Sequence, residues 1–218
     1  VVIFDNLGVG RSTGTSPDAI SGMADVAAQV ISALDLGLVD VLGWSMGGMV
    51  VYALAQQHPH LVRRIVSAGS TPGMVPNSPP PPEKVSEIVR KPANDTDDFL
   101  YLFFPETPTG RELGVQHLNR LGQREEAFSP PVTPETFMAQ AKAVIAWRGA
   151  TGAYPRLGEL THPVLVANGV HDVMIPAFDS EAAAEKLPNA TLKLSDDAGT
   201  CFLFREDIPF PRDITACP

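Results

Sequence analysis

The chain has 218 residues, of which 44% are apolar, and its 16 Lys and Arg against 25 Asp and Glu give a net charge of −9. This composition is typical of a packed globular protein, and an acidic balance without a basic stripe disfavours a nucleic-acid partner. No apolar run approaches the roughly 20 residues that a membrane-spanning helix needs, so no membrane partner is expected. The two cysteines, Cys201 and Cys217, are too few for a disulfide framework and lack metal-site spacing, and we expect neither a metal nor a cofactor.

The chain opens with the apolar run VVIF at residues 1–4, followed by the glycine-rich stretch DNLGVGRS. This pattern predicts a buried strand that runs into a tight loop. Because the first residue is a valine inside an apolar run, we interpret the chain as a fragment whose upstream part is missing. A signal peptide would then be invisible, and a cytoplasmic location is only the default expectation.

Ser16-Pro17 predicts the start of a helix, because a capping hydroxyl precedes a proline whose missing N–H would have no partner at that position. Apolar residues continue at helical spacing until Gly37 ends the segment. A strand, a helix that Pro59 ends and a second strand are then predicted at residues 39–42, 49–57 and 62–67. The alternation of strands and helices predicts a parallel sheet with helices on both faces.

Residues 72–156 interrupt this alternation. A run of four prolines at 79–82 predicts a stiff spacer. Three helical stretches follow, at 99–104, 111–124 and 134–147. A helical block between two strands of such a sheet is most simply an insertion over one sheet edge, and covers of this kind form lids over sites.

The sheet resumes after the helical block. A strand, a helix and a further strand are predicted at residues 164–167, about 180–186 and 191–194. We therefore divide the chain into three parts: a first core part, a helical cap and a second core part, at 1–71, 72–156 and 157–218.

Ser45 lies in the sequence GWSMGG, between a predicted strand and a predicted helix. G-x-S-x-G in this context indicates a nucleophile elbow, although a chance match is the alternative for so short a pattern. The sharp turn requires small residues at Gly43 and Gly47, and Gly48 lets the helix pack tightly. Unpaired N–H groups at a helix N-terminus favour negative charge, so the N–H of Met46 is expected to be one oxyanion donor.

Four stretches, in this order along the chain, resemble the α/β-hydrolase superfamily: DNLGVGRS (5–12), LGWSMGGMV (42–50), NGVHDVMIP (168–176) and DAGTCFLF (197–204). The resemblance spans most of the chain. It implies a mostly parallel sheet of about eight strands flanked by helices, a helical cap, and catalytic Ser, Asp and His in that chain order. It also implies that residues 1–4 are the fourth strand and that the first strands are missing.

The resemblance assigns the catalytic acid to Asp172, in the G-x-x-D loop after the strand at 164–167. Its role would be to orient a histidine and to stabilise its cation. A helix-capping or loop aspartate is the alternative, but the next predicted helix starts too late for Asp172 to cap it. Trp44, beside the serine, is assigned to substrate binding.

The histidine of this pattern is absent. In the family a stretch like Ala198-Gly199 precedes the catalytic histidine, whereas Thr200 and Cys201 follow here. The five histidines are His58, His60, His117, His162 and His171, and a structural or surface role is favoured for each. Thr200 is neutral and cannot act as a general base. Because the resemblance also places the second oxyanion donor upstream of Val1, very weak or no hydrolysis is expected.

The sequence thus predicts a serine hydrolase lineage acting on carboxylic esters or related small acyl substrates through an acyl-enzyme. The alternative is a non-catalytic pseudoenzyme that serves as a binding or interaction module. The prolines at 209, 211 and 218 oppose the C-terminal helix of the family. An altered reading frame near residue 200 and true divergence both explain this departure and remain open. The oligomeric state is not indicated.

Overall fold

The computed structural model describes residues 1–91, 93–123 and 130–204. Four strands within these ranges form one parallel sheet in the spatial order β1-β2-β3-β4. They are β1 (Val39–Trp44), β2 (Val62–Ala68), β3 (Val164–Gly169) and β4 (Ala190–Ser195). Parallel neighbours need a crossover connection, and helices lie between each successive pair of strands. The parallel α/β sheet expected from the sequence is confirmed; the resemblance implied about eight strands, and the described residues contain these four.

The described residues form seven α-helices: α1 (Ile20–Ala33), α2 (Met46–Gln57), α3 (Glu83–Val89), α4 (Thr96–Phe103), α5 (Pro108–Gly122), α6 (Pro134–Ala146) and α7 (Ala177–Lys186). Buried apolar residues of α1, α2 and α7 join those of β2 and β3 in the largest core. α2 and α7 are each longer at the N-terminus than the sequence predicted. None of the described helices combines the length and the apolar character that crossing a bilayer demands.

The two faces of the sheet are covered differently. Every residue of β3 is buried, and its side chains alternate between two cores. Val164 and Val166 face the core of α1, α2 and α7, whereas Leu165 and Ala167 face a smaller core on the other side. A short 3₁₀-helix, Thr200–Phe204, covers that second face. The residues that follow β4 therefore pack against the face of β3 that is opposite α1, α2 and α7.

The helical block between β2 and β3 contains α3, α4, α5 and α6, and its described residues form no strand. Three of these helices begin with a capped N-terminus. Asp95 and Asp98 form a reciprocal capping box at α4, and Thr107 and Thr133 cap α5 and α6 ahead of a proline. The helical content of this block agrees with the sequence pattern, while its division from the core as a separate cap stays a prediction.

The strand predicted at residues 1–4 is wrong. These residues pair with no strand of the described chain, and Val1 and Ile3 are almost wholly exposed. A strand needs a neighbour to satisfy its backbone N–H and C=O groups, and an apolar run alone does not supply one. Apolar character predicted burial here, but burial depends on a pairing partner elsewhere in the chain.

The helix start predicted at Ser16-Pro17 is also wrong. α1 begins at Ile20, after an extended Ala19 that makes no side-chain cap. Ser16 is instead buried, and Pro17 packs so closely on the first turn of α1 that a Cβ at Gly22 would lie 3.1 Å from the proline ring. Tertiary packing of this segment therefore overrides the local capping preference. The segment from residue 205 onward, with its three prolines and Cys217, lies outside the described residues.

Candidate active site

Ser45 joins β1 to α2 in a strained backbone conformation, with φ 53° and ψ −121°. A positive φ is rare outside glycine and costs of order 1–3 kcal/mol, so the surrounding structure must hold it. Its N–H donates to the carbonyl of Ala68 on β2 at 2.9 Å, and its own carbonyl accepts from the N–H of Gly48 at 2.9 Å. The hydroxyl makes no capping bond to α2. The sharp strand-to-helix turn that the sequence indicated is therefore present, with the serine half-buried.

The three glycines around the serine have different roles. A Cβ at Gly43 would lie 2.1 Å from the carbonyl oxygen of Gly47, and a Cβ at Gly48 would lie 2.4 Å from the Cβ of Ser70. Apart from its chain neighbours and the backbone of its own helix, a Cβ at Gly47 would meet no heavy atom within 4 Å. The turn thus excludes a side chain at 43 and 48, but the expectation of crowding at 47 is wrong. It is the backbone of Gly47 that crowds Gly43, not the reverse.

This difference predicts opposite effects for two matched substitutions. Gly43→Ala places a methyl group against a backbone carbonyl and is expected to lower the free energy of unfolding by about 1–3 kcal/mol or more. Gly47→Ala is expected to be neutral or to stabilise α2 by up to ~1 kcal/mol, because alanine favours a helix interior. Urea unfolding of both variants measures this contrast, and equal destabilisation would show that the described turn geometry is incorrect.

Met46 is the first residue of α2. The first four N–H groups of a helix have no acceptor within it, and the helix dipole makes this end positive. A substrate oxygen near Ser45 would therefore face a donor that the helix itself leaves free. The oxyanion role assigned to Met46 fits this placement and stays a prediction.

Asp172 lies in the loop after β3 and is buried, with 6% of its surface exposed. Its Oδ1 accepts from the N–H groups of Met174 and Ile175, each at 2.9 Å. The preceding residue, His171, donates its own N–H to the carbonyl of Ala198 at 2.9 Å. One carboxylate oxygen therefore shapes the loop, as the loop alternative suggested. The other, Oδ2, is buried without a hydrogen-bond partner in the described part of the chain.

Thr200 is fully buried near this carboxylate. Its hydroxyl lies near enough to the carboxylate to lower the pKa of Asp172, although the two groups fall short of hydrogen-bond geometry. On its other side, the Thr200 carbonyl accepts from the indole N–H of Trp44 at 2.8 Å. The structure thus brings together Asp172 and the position at which the resemblance implies the histidine.

The pKa of Asp172 is raised to about 6, mainly because burial disfavours the charged carboxylate. Three groups oppose this shift, in decreasing order: the N–H of Ile175, the nearby Thr200 hydroxyl and the N–H of Met174. The charge of Arg148 adds a smaller opposing effect. A carboxylate without a full set of partners is therefore harder to ionise in this fold than in water.

Arg148 is a residue that the sequence did not single out. It lies in the π-helical turn after α6, and its Nη1 donates to the carbonyl of Met174 at 3.5 Å. Trp147 anchors the same turn, because its indole N–H donates to the carbonyl of Thr71 at 3.0 Å. The end of the helical block thereby places a cation at the Asp172 loop. An arginine at a helix end carries no motif from which this contact is predictable.

Trp44 packs between two aromatic rings, one from the helical block and one from the 3₁₀-helix after β4. Its ring centroid lies 6.1 Å from that of Phe103 on α4 and 4.9 Å from that of Phe204. Because its indole N–H is already bonded to the Thr200 carbonyl, Trp44 can offer a substrate the surface of its ring but no free hydrogen-bond donor. Its assignment to substrate binding stays a prediction.

None of the histidines forms a hydrogen bond with Ser45 or Asp172 within residues 1–91, 93–123 and 130–204. His58 pairs with Asp25 at 2.8 Å, and His162 contacts the carbonyl of Pro59 at 3.2 Å. The ring of His117 stacks on Phe99 at 6.3 Å, and burial lowers its pKa. His60 and His171 are exposed. These contacts fit the structural and surface roles that the sequence analysis favoured.

Cys201 is buried among aromatic and aliphatic side chains next to Thr200. Burial, with a smaller contribution from the nearby charge of Asp172, raises the pKa of its thiol to about 12. Since the thiolate is the reactive form, Cys201 is not a substitute nucleophile at neutral pH.

We therefore expect Cys201 to resist iodoacetamide at pH 8 in the folded protein, because only roughly 10⁻⁴ of a thiol with this pKa is ionised there. Peptide mass spectrometry distinguishes its labelling from that of Cys217. The same protein in denaturant is the control and should label fully at Cys201. Rapid labelling in the folded state would contradict the buried environment described here.

Ser45 and Asp172 lie at the same edge of the sheet. They follow the carboxyl ends of β1 and β3, and the parallel register pairs Trp44 with Ala68 and Ala68 with Ala167. With β2 between them and strands about 4.8 Å apart, the two strand ends are about 10 Å apart. Asp172 also borders a cavity of about 480 Å³, and Ser45 is not among the residues that line it. The described residues contain no cluster of three or more metal-ligating side chains.

This parallel α/β sheet, with a strained serine between β1 and α2 and a buried aspartate after β3, defines a protein of the alpha/beta hydrolase fold. Residues 1–207 match the model of the alpha/beta hydrolase fold family, and the chain belongs to that family. The structure is similar to that of an alpha/beta hydrolase fold protein from Chitinophaga pinensis, with a TM-score of 0.84 and 29% identity over 98% of this chain and 75% of that one.

Two named relatives are similar along almost the whole chain. A poly(3-hydroxyalkanoate) depolymerase from Ectopseudomonas oleovorans is 27% identical over 97% of this chain and 72% of its own length. A pimeloyl-[acyl-carrier protein] methyl ester esterase from Nitrosomonas europaea is 28% identical over 96% of this chain and 80% of its own length.

Proposed function

We propose that this chain is a serine hydrolase in which Ser45 is the nucleophile toward carboxylic esters or related small acyl substrates. The observation that carries the proposal is the backbone of Ser45, whose φ of 53° is imposed at the junction of β1 and α2. Strained residues of this kind cluster at active sites, where the strain presents a side chain. A relative that is named a methyl ester esterase supports esters as the substrate class.

In this reaction the Ser45 Oγ attacks the carbonyl carbon, and the carbonyl electrons move onto oxygen to form a tetrahedral oxyanion. The N–H of Met46 donates to that oxyanion, and the positive end of the α2 dipole stabilises it further. In the absence of a side-chain base the serine proton passes to water. Collapse of the intermediate breaks the ester C–O bond, the departing oxygen takes a proton from water to give the alcohol, and water then hydrolyses the acyl-enzyme to the carboxylic acid. The ring of Trp44 borders the substrate in this proposal.

The step without an evident agent is removal of the serine proton. Thr200 lies beside Asp172 at the position where the resemblance implies a histidine, and a threonine hydroxyl does not take up a proton at neutral pH. Removing the base from a working triad costs roughly 10⁶-fold and leaves roughly 10³–10⁴-fold over water. We therefore propose that hydrolysis by this chain is very slow.

A non-catalytic binding module is the second candidate function. The buried pair of Thr200 and Asp172, with no imidazole hydrogen-bonded to either in the described residues, is the observation that favours it. In that reading the strained turn is retained as part of the fold, and acyl compounds bind without being cleaved.

Labelling with a fluorophosphonate probe tests the proposal. We expect slow labelling of the wild-type chain that Ser45→Ala abolishes, together with slow hydrolysis of a short p-nitrophenyl ester that the same variant abolishes. Ser21→Ala, at an exposed serine of α1 outside the site, is the matched control and should label as the wild type does. Labelling that survives Ser45→Ala would refute the assignment of the nucleophile, and no labelling of the folded wild-type chain would favour the binding module.

A further inference from the structure

The π-helical turn that follows α6, Trp147–Thr151, contacts two loops that leave the carboxyl ends of the strands. On one side, the Trp147 indole N–H donates to the carbonyl of Thr71, in the loop after β2, at 3.0 Å. On the other side, the Nη1 of Arg148 donates to the carbonyl of Met174, in the loop after β3, at 3.5 Å. The turn thus fastens the end of the helical block to both loops.

One peptide group connects Arg148 to Asp172. The carbonyl of Met174 and the N–H of Ile175 belong to the same planar amide. Its carbonyl accepts from Arg148, and its N–H donates to Oδ1 of Asp172 at 2.9 Å. A cation at the carbonyl polarises the amide and makes the N–H a stronger donor, because hydrogen bonds in series reinforce one another. The guanidinium therefore acts on the carboxylate through this amide.

The direction of this amide is set by neighbours other than Arg148. Asn168 is fully buried, and its side-chain N–H donates to the carbonyl of Ile175 at 3.0 Å. The N–H of Met174 donates to the same Oδ1 of Asp172 at 2.9 Å. The peptide groups before and after this amide are thus held without the arginine. Loss of the Arg148 side chain is therefore expected to change the polarisation of the amide more than its direction.

The charged and titratable groups around Asp172 come from several segments. Burial raises the pKa of Asp172, and the charge of Arg148 opposes that rise. The thiol of Cys201 also lies near this charge, but burial raises its pKa and keeps it neutral at pH 7. His171 is exposed, and Glu106, which borders the same cavity as Asp172, is paired with a lysine. Of these groups, Arg148 carries the charge that stabilises the Asp172 carboxylate.

We propose that Arg148 is a positioning residue that acts on Asp172 through the peptide group between Met174 and Ile175 and holds the carboxylate in its ionised form. Because Arg148 belongs to the turn that ends the helical block, the docking of that turn and the charge of Asp172 are linked. The inference rests on the proposed function only in making Asp172 part of the site. It concerns the ionisation of the acid and not the chemistry at Ser45.

The titration of the Asp172 carboxyl carbon, followed by NMR between pH 4 and pH 8 and assigned with Asp172→Asn, tests this inference. Arg148→Met removes the charge and the donor and should raise the titration midpoint of Asp172 by roughly half to one pH unit. In the same variant the amide proton of Ile175 should move upfield, because its hydrogen bond to the carboxylate is less polarised. An unchanged midpoint in a folded Arg148→Met protein would overturn the proposal.

Two further variants separate the charge of Arg148 from a general change of packing. Arg148→Lys keeps the charge and should restore at least half of the shift caused by Arg148→Met. Arg156→Met removes an exposed arginine that is paired with Glu159 in the same connection to β3, and it should leave the Asp172 midpoint unchanged. Equal shifts in Arg148→Met and Arg156→Met would show a general effect of net charge and would contradict the inference.

The wild-type chain supplies a test that needs no folded variant. Since the linkage is reciprocal, the side-chain nitrogen resonances of Arg148 should titrate with the same midpoint as the Asp172 carboxyl. Arginine resonances that do not respond to this titration would refute the connection.

Ser45→Ala separates this inference from the proposed reaction. The Asp172 midpoint and its response to Arg148→Met should be the same in the Ser45→Ala background, whether or not the serine reacts with a fluorophosphonate. Loss of the response in that background would contradict the inference.

Discussion

Thr200→His is expected to raise the rate of Ser45-dependent ester hydrolysis by roughly 10²–10⁴-fold, the range that a positioned general base contributes. The physical reason is the placement of residue 200, whose side chain lies beside the buried carboxylate of Asp172. An imidazole there would donate one N–H to Oδ2 and leave its other nitrogen available to accept the serine proton. Hydrolysis of a p-nitrophenyl ester and the rate of fluorophosphonate labelling both measure the gain.

The controls for this variant separate a base from a mere change of packing. Thr200→Val replaces the hydroxyl by a methyl group and should give no gain. The gain should vanish when Ser45→Ala is added, and the rate should rise with pH as the imidazole loses its proton, near its usual pKa of about 6.5. A larger side chain at a fully buried position costs about 1–3 kcal/mol, so the unfolding transition must confirm a folded variant. A folded variant without faster labelling would refute residue 200 as the position of the base.

The second large effect concerns stability and pH. The folded-state pKa of Asp172 is about 6, against 3.8 for the same group in a model peptide. Between these two values the unfolded chain has lost a proton that the folded chain still holds, so the free energy of unfolding falls as the pH rises. The shift of 6 − 3.8 corresponds to about 3 kcal/mol, fully lost above the folded-state pKa.

As the pH rises from 4 to 8, Asp172→Asn is therefore expected to gain about 2–3 kcal/mol of stability relative to the wild-type chain. The asparagine keeps an oxygen that accepts from Met174 and Ile175, and its amide N–H₂ points a donor toward the Thr200 hydroxyl. Urea unfolding of both proteins between pH 4 and pH 8 checks this. Parallel stability profiles would show that Asp172 has an ordinary pKa and is not buried as described.

The order of elements was predictable because it depends on local patterns. The strand at residues 39–42 and the helix after Ser45 were expected from apolar runs and helix formers, and they appear as β1 and α2. The sharp turn at Ser45 was predictable for the same reason, since G-x-S-x-G is a local signal. The crowding at Gly43 was also foreseen, but the open space at Gly47 depends on neighbours that no pattern shows.

The parts that sequence reasoning missed depend on contacts between distant segments. Arg148 reaches the carbonyl of Met174, 26 residues further along the chain, because the turn after α6 folds back on the sheet edge. The run at residues 1–4 is apolar but has no strand to pair with among the described residues. Similarly, Thr200 and Asp172 lie in two different loops at the edge of the sheet. The sequence predicted the chain position of Thr200 but not its burial near Asp172.

The hydrogen bond from Trp44 to the Thr200 carbonyl gives this molecule an optical reporter at the candidate site. The chain has two tryptophans, and the other, Trp147, is buried at the end of α6. Trp147→Phe would leave Trp44 as the one tryptophan, excited selectively at wavelengths that the three tyrosines hardly absorb. Its indole N–H is bonded to residue 200, the position at which the resemblance implies the base. Changes at position 200, or the arrival of an acyl group on Ser45, then become visible as a shift in emission without any added dye.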